Sequence, residues 1–361
     1  MKSLHIIDHF CLGGAQRIVK GIIDVIPSAQ LLPLHKKGGD HKQFSVPAHR
    51  YLSKPTNNLL LQLFHLLQVP HQIRKNQIQI IHCHLHYSWM FGLWLFFVLR
   101  SKTDLTLFFH EHDSILLTRW YYPFLVRWLN RYGRFIAVSK FIQDRINACG
   151  VPIEKVHLVR NYVDLSCFQP AEREAGAVFG IESRWLENRK RIGFAGRLVG
   201  YKGWRTVLDL AGRLPEACFL VAGDGTDAPT VAREIRQRGL QERVFLLGYI
   251  SNMDVFYHQV DVLIIPSIRE AFGLVQLEAQ ACGVPVVIFD SEAAQEIHGD
   301  QSSILVPQGD VEMLAGKVQA LLEQSDLYAK YVEKGLANAR LYDLDDYSEQ
   351  LNHIYQAALK P

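Results

Sequence analysis

Short apolar runs alternate with helical periodicity almost from end to end of this chain, and few folds can use that pattern. "LHIIDHF" reads as a strand, and "AQRIVKGIIDVI" follows as a helix with Ile18, Ile22 and Val25 on one face. "QIIHCH" is a second strand, followed by a helix through Trp94. "LTLFFHEH" and "RFIAVS" are further strands, "KFIQDRINACG" is a helix closed by Gly150, and "VHLVRNYV" is a strand again. Strand–helix alternation of this kind implies a parallel sheet with helices on both faces. The period breaks over "DLSCFQPAEREAGAVFGIESRWLENRK", a polar stretch with Pro170 that reads as a linker. It then restarts with "KRIGFAGRL", "ACFLVAGDG", "RVFLLGYI", "VDVLIIPS" and "VPVVIFD", each followed by a helical segment.

At 361 residues, two domains are the default expectation. The expected architecture is α/β, with two doubly wound Rossmann-like domains facing across a cleft. The first is expected over 1–168 and the second over 169–340, with a terminal helix over 341–361. Ligands of such sheets bind beyond the carboxyl ends of the strands.

An apolar fraction of 48% and a charged fraction of 21% are those of a globular chain. The six cysteines are scattered and form no C-x-x-C pair, which reads as reduced thiols in a cytoplasmic setting. "MKSLHIIDHF" has a strand pattern and not that of a signal peptide. The net charge of +3 hides an asymmetry: residues 1–168 hold 20 Lys and Arg against 9 Asp and Glu, an excess of +11, and 13 of the 16 histidines. A basic half suggests an anionic partner for that half. "WMFGLWLFFVL" (Trp89–Leu99) is about half the length of the roughly 20-residue spanning helix, so a buried core helix is expected there. In "RWYYPFLVRWLNRYGR" (Arg119–Arg134) aromatic and basic residues interleave, as they do in segments that lie at a membrane surface. Burial of those rings in the domain core is the alternative.

The candidate chemistry sits at the ends of the strands. Gly13-Gly14, in "CLGGAQR", stands between the first strand and helix, where glycine permits a tight turn and the helix N-terminus favours an anion. It is not G-x-G-x-x-G, so a dinucleotide fingerprint is not met. In "GFAGRLVGYKGW", Arg197 and Lys202 straddle glycines, and two such cations suit a diphosphate: Arg as a bidentate fork and Lys as a point charge. "LVAGDGT" and "FLLGYI" put Gly223 and Gly248 at the ends of two further strands. In "SIREAFGLVQLEAQACGVPVV", Glu270 and Glu278 are eight positions apart. A carboxylate near a helix start is favoured by the macrodipole, which accounts for Glu270. Glu278 lies two turns on among Leu274, Val275, Leu277 and Ala281, and that explanation does not reach it.

Taken together, "FAGRLVGYKG", "VAGDG", "LLGYI", "IPSIREAFGLVQLEAQACGVPVV" and "ILVPQGD" make residues 192–310 resemble the nucleotide-sugar-binding half of the family-four retaining glycosyltransferases, which have the GT-B fold. "LGGAQR", "IIHCH", "FIAVSKF" and "RNYVD" extend the resemblance to the first half. The resemblance implies that Glu270, with Ala271, Phe272, Gly273 and Leu274 after it, lies close to the transferred sugar. Glu278 would accept hydrogen bonds from the ribose diol, which suits an acceptor-only carboxylate. Arg197 and Lys202 would hold the donor diphosphate and stabilise the leaving charge, and Gly13 and Gly14 would let the backbone approach the donor phosphate and acceptor. A histidine at the end of a first-domain strand completes the site. "FFHEHD" offers His112 and His110, the former favoured by the acid that follows it, and His82 and Asn161 are further candidates. The family's last helix crosses back to the first domain, as "YDLDDYSEQLNHIYQAAL" would here. Many relatives carry a Gly-Gly turn where this chain has Glu292-Ala293-Ala294, which puts the shape of that loop in question.

The resulting expectation is a cytoplasmic, metal-independent, retaining hexosyltransferase. It would need no cofactor beyond its donor, a UDP- or GDP-sugar, and would act on a glycan or lipid-linked acceptor in cell-surface polysaccharide or lipopolysaccharide synthesis. Contact with an anionic membrane through the basic half is expected; a nucleic-acid partner is not. The rival readings are a non-catalytic nucleotide-sugar-binding subunit or sensor and a nicotinamide dehydrogenase. The set Arg197, Lys202, Glu270 and Glu278 disfavours the first, and the absent glycine fingerprint disfavours the second.

Overall fold

A computed structural model describes residues 1–9, 13–34, 46–52, 59–101, 104–112, 118–173 and 179–359, and the statements below concern these. Cys11 and Leu12 of the first loop, Asp113, and residues 174–178 of the linker lie outside them. The chain forms two compact units, Met1–Tyr162 with Leu344–Pro361, and Val163–Asp343. The first boundary thus falls earlier than the polar stretch suggests. The backbone N–H of Val163 donates to the carbonyl of Tyr342 at 2.9 Å, so the two chain segments that leave the second unit are paired within it.

In the first unit the elements run β1 (Ser3–Ile7), α1 (Gly14–Val25), β2 (Ala29–Pro33), α2 (Leu59–Asn76), β3 (Ile80–His84), α3 (His86–Leu99), β4 (Thr106–Glu111), α4 (Tyr122–Leu129), β5 (Arg134–Ala137), α5 (Lys140–Ala148) and β6 (Val156–Leu158). The six strands pair in parallel in the order β2-β1-β3-β4-β5-β6. The C-terminal helix Leu344–Leu359 belongs to this unit. It buries Tyr347, Leu351 and Tyr355, spaced four apart on one face, with Tyr347 against Tyr162 and Tyr355 against Phe108. Strand β6 is shorter than "VHLVRNYV" suggests, because its partner β5 ends at Ala137.

Trp89–Leu99 is a core helix on one face only. Trp89, Leu93, Leu95 and Leu99 are buried, while Met90, Trp94, Phe97 and Val98 are exposed. Helix α4 divides the same way: Tyr122, Val126 and Leu129 are buried, and Trp120, Phe124 and Trp128 stand on the surface with Arg119, Arg127 and Arg131. The ring of Tyr132 joins the two surfaces, 4.9 Å from Phe97 and 5.6 Å from Trp128. No helix among the described residues is long and apolar enough to cross a membrane.

The second unit runs β7 (Lys190–Ala195), α6 (Trp204–Arg213), β8 (Ala217–Ala222), α7 (Ala228–Gln237), β9 (Val244–Gly248), α8 (Met253–His258), β10 (Val262–Ile265), α9 (Leu274–Ala281), β11 (Val286–Phe289), α10 (Glu292–Glu296), β12 (Ile304–Val306), α11 (Val311–Glu323) and α12 (Ser325–Ala339). The strand order is β12-β11-β10-β7-β8-β9, again all parallel. "ACFLVA", "VLII" and "VVIF" are buried at every position, as strands covered on both faces require. The Glu292-Ala293-Ala294 segment needs no glycine. It forms the short α10, capped by Ser291 Oγ on the Ala294 N–H at 3.1 Å, with both alanines buried.

The first sheet carries an unusual internal feature. His5 on β1 is in register with His82 on β3, and His84 on β3 with His110 on β4. Their imidazoles, with that of His112, stack on one face as a ladder with neighbouring centroids 3.9 to 5.4 Å apart. Burial pushes His5 and His112 down to about 3. Burial, reinforced by the neighbouring imidazoles, holds His82, His84 and His110 well below the usual histidine range. In an unfolded chain these groups take up protons near pH 6.5; in the folded sheet they stay neutral. The unfolded state therefore binds more protons once pH falls below about 6.5, and each histidine costs up to about 1.4 kcal/mol of stability per pH unit from there down to its folded value. The four fully buried members together approach the lower end of a typical domain's stability at about pH 5.5. Chemical denaturation with a chelator present should show the first unit much weaker at about pH 5.5 than at about pH 7.5. A flat profile across that interval would mean the ladder is not held neutral.

Candidate active site

Strand β7 lies between β8 and β10, so the second sheet reverses its winding between β7 and β10. A doubly wound sheet binds ligands at this point, beyond the carboxyl ends of its strands. Four loops meet here and are stitched together through their backbones. Gly196 N–H donates to Ala222 O at 3.0 Å, Leu198 N–H to Asp224 O at 3.0 Å, Gly223 N–H to Gly248 O at 2.7 Å, and Ile268 N–H to Tyr201 O at 2.8 Å. The sequence-predicted Arg197, Lys202, Gly223, Gly248 and Glu270 are thus placed on one connected edge.

Lys202 ends a short 3₁₀ turn, Gly200–Lys202, after β7, and Glu270 stands in the loop after β10. Lys202 Nζ and Glu270 Oε1 are 2.6 Å apart, and each side chain is 17% exposed. Removing one partner of so sheltered a pair leaves an uncompensated charge. The Arg197 guanidinium is exposed and donates from Nη2 to the Tyr201 hydroxyl at 2.6 Å. Both cations lie near the Tyr201 ring, Arg197 Cζ at 5.8 Å and Lys202 Nζ at 5.9 Å from its centroid.

After Glu270 the chain passes Ala271, buried Phe272 and Gly273, which precedes α9 with φ 116°, and enters the helix at Leu274. Glu278, two turns along α9, is buried, and its Oε2 accepts a hydrogen bond from the Tyr257 hydroxyl at 2.8 Å. That bond accounts for a carboxylate among apolar neighbours. Tyr201 and Tyr257 are the residues that sequence reasoning missed. Tyr201 adjoins Lys202 inside the quoted motif, whereas nothing in "VFYHQV" marks Tyr257.

The first unit holds the remaining candidates. Gly13 precedes α1 in extended conformation and Gly14 is its first residue; no side chain caps that helix N-terminus. His110 is fully buried within β4, and His112, just past the strand end, is partly exposed. His82 is also fully buried, bonded to the Tyr355 hydroxyl and to His110. Asn161 is buried with its Oδ1 lacking a hydrogen-bond partner.

Residues 181–337 match the family model "Glycosyl transferases group 1", and residues 29–166 match "Glycosyltransferase Family 4". The chain belongs to the group 1 glycosyltransferases. It is 26% identical over 260 residues to the alpha-D-kanosaminyltransferase of Streptomyces kanamyceticus, covering 68% of this chain and 67% of that one. It is 29% identical over 229 residues to the D-inositol 3-phosphate glycosyltransferase of Xylanimonas cellulosilytica, covering 60% of this chain and 55% of that one. The second match therefore spans little more than half of the relative's length. Anabaena HepE, solved in complex with UDP and glucose, superimposes with a TM-score of 0.79 at 20% identity over 99% of both chains, and the fold is that of the GT-B enzymes.

Two glycines set how closely this transferase's loops can approach. Gly203 has φ 80°, and a Cβ there would stand 2.0 Å from Pro266 O, at the end of β10. Gly223 has φ 133°, and a Cβ there would stand 1.9 Å from Gly196 O. Both obstacles are backbone atoms that no rotamer change removes. Gly203→Ala and Gly223→Ala should each lower the stability of the second unit by more than about 2 kcal/mol. Gly212 in α6, where a Cβ meets nothing within 4 Å, is the contrast; Gly212→Ala should be neutral or stabilising by up to about 1 kcal/mol. Thermal melts of the three variants test this, and an unchanged melt for Gly203→Ala and Gly223→Ala would contradict the close approach.

Proposed function

We propose that this chain is a retaining hexosyltransferase. It takes a nucleotide-diphosphate sugar as donor and a glycan or lipid-linked acceptor at the inner face of a membrane, in the assembly of cell-surface polysaccharide or lipopolysaccharide. The observation that carries the reading is the Lys202–Glu270 pair at the switch point of the second sheet. A cation and a carboxylate held 2.6 Å apart at that edge can serve the two ends of a sugar diphosphate, the anionic leaving group and the sugar hydroxyls. In this mechanism Lys202 and exposed Arg197 stabilise the charge that develops as the bond from the anomeric carbon to the diphosphate oxygen breaks. Glu270 positions the sugar. The acceptor oxygen bonds to the anomeric carbon from the same face, and its proton passes to the departing phosphate. The two cations supply the charge that a divalent ion provides elsewhere. Tyr257 fixes the carboxylate of Glu278, the residue assigned to the ribose diol. On the first unit, His112 is the histidine assigned to the reaction; it alone of the ladder has exposed surface.

That Anabaena HepE was solved with UDP and glucose supports a nucleotide-sugar donor. An anionic acceptor is supported by the +11 excess over residues 1–168 and by the relative named for D-inositol 3-phosphate. Membrane contact is supported by the exposed face of α3 and α4. Trp120 and Phe124 are 83% and 72% exposed among Arg119, Arg127 and Arg131, the combination that suits rings at headgroup level beside anionic lipid.

Purified protein should release UDP or GDP from one of its sugar nucleotides when acceptor is present. Lys202→Ala or Arg197→Ala should cut kcat/KM about a hundredfold or more, because losing one charged contact to the leaving group costs roughly 3 kcal/mol. Wild-type turnover in both variants would defeat the donor assignment. Sedimentation with phosphatidylglycerol vesicles tests the acceptor side. Binding should weaken as salt rises, and it should fall when Arg119, Arg127 and Arg131 become Ser together. Indifference to anionic vesicles at low salt would remove the membrane from the proposal.

A further inference from the structure

The histidine ladder resolves into two hydrogen-bonded chains. One runs from the Ser3 hydroxyl to His5 Nε2 at 3.2 Å, from His5 Nδ1 to His84 Nε2 at 3.1 Å, and from His84 Nδ1 to His112 Nε2 at 3.0 Å. The other runs from the Tyr355 hydroxyl to His82 Nδ1, and from His82 Nε2 to His110 Nδ1 at 3.1 Å. It stops there: His110 Nε2 is buried and has no hydrogen-bond partner. A ring nitrogen in that position is unsatisfied as an N–H and equally unsatisfied as a lone pair, which is costly in a dry interior. The two chains end beside one another, since the rings of His110 and His112 are 3.9 Å apart and those of His84 and His110 5.2 Å. His84, His110 and His112 each offer a nitrogen within 4.8 Å of the others.

We propose that His84, His110 and His112 form a binding site for one zinc ion. Three neutral imidazoles with an open fourth position are a known zinc ligand set. At Zn–N distances of about 2.0–2.1 Å the nitrogens stand about 3.3 Å apart, so the His84–His112 pair at 3.0 Å needs only to open slightly. The ion would take the place of the single proton shared by that pair, which shifts to the other nitrogen of its own ring so that each imidazole stays neutral, and would satisfy the orphan nitrogen of His110. The outer contacts are those of a built site. His84 is held through its other nitrogen by His5 and His110 by His82, as ligating histidines are usually held by a second partner. His112, the partly exposed member, gives the route in and the side on which water would complete the coordination. His5, His82 and His84 also lie within mutual reach, but all are fully buried and Ser3 and Tyr355 occupy the outer nitrogens, so that triad has neither an entry path nor an unused nitrogen. Binding at the first triad does not depend on the transferase reading. One consequence does: zinc would occupy His112 and inhibit transfer.

The test uses full-length, untagged, chelator-treated protein titrated with ZnCl₂ by calorimetry and with CoCl₂ by visible absorption. One zinc site is expected, with Co²⁺ giving the intense visible bands of four-coordinate geometry. His84→Asn and His110→Asn should each weaken zinc by about a hundredfold or more, while His49→Asn, at an exposed position, should leave it unchanged. The wild-type Co²⁺ spectrum serves as a readout if either variant fails to fold. Only weak six-coordinate bands, or zinc affinity unaltered in folded His84→Asn and His110→Asn, would overturn the site. Turnover assays then separate the two proposals. Zinc binding without any turnover of sugar nucleotides leaves the site standing and sinks the transferase reading, and turnover without zinc binding does the reverse.

Discussion

Lys202 and Glu270 meet because β7 and β10 are neighbours in the sheet although far apart in sequence. Everything else in the second unit follows from keeping those two strand ends at that spacing. The parallel ladder fixes the strand positions, and β8, β10 and β11 are apolar and buried at every position beneath the loops. The backbone bonds from Gly196 to Ala222, Leu198 to Asp224 and Ile268 to Tyr201 then tie together the loops that carry the two charged residues. A salt bridge on an open surface contributes little. On this sheltered edge the same pair is a fixed charge distribution, and under the proposed function it is the preorganised form in which electrostatics aids catalysis.

Much of this was legible in the sequence, for a physical reason. A parallel sheet places all its functional loops at one edge, so glycines, cations and carboxylates that each follow an apolar run are brought together by topology alone. Arg197, Lys202, Gly223, Gly248 and Glu270 could be assigned to that edge without knowing any distance. The loop at Glu292-Ala293-Ala294 also illustrates the limit. Absence of glycine raised a doubt about its shape, and the capped α10 answers it with another backbone conformation that buries both alanines.

What the sequence hid depends on rotation and register. The apolar residues of α3 and α4 cover more of each helix than one buried stripe needs, and composition does not say which stripe faces inward. Trp89 is buried and Trp94 exposed five residues later; Tyr122 is buried and Phe124 exposed. Likewise "IIHCH" and "FFHEH" show histidines at alternate positions, and "SLHII" holds one more, which fixes their faces but not their partners. Only the pairing of His5 with His82 and of His84 with His110 turns scattered histidines into one ladder. Tyr355 arrives from the far end of the chain, and the pairing with His82 is beyond any local reading.

The ladder bears on the first unit in the way the ion pair bears on the second. Apolar side chains at His5, His82 and His110 would fill the same face with no polar atoms to satisfy, and a buried polar network rarely adds stability over well-packed hydrophobic residues. What the imidazoles add is directional constraint. His84 Nδ1 fixes His112 Nε2, and His5 fixes His84 in turn. The orientation of the partly exposed ring is thereby set from within the sheet and not by solvent. Neutral imidazole has one donor and one acceptor, so a proton position chosen at Ser3 propagates along the chain to decide which nitrogen of His112 carries hydrogen. A ring held this way presents one defined face to whatever reaches the end of β4, whether a sugar hydroxyl or a metal ion, and an apolar sheet interior offers no means of doing so.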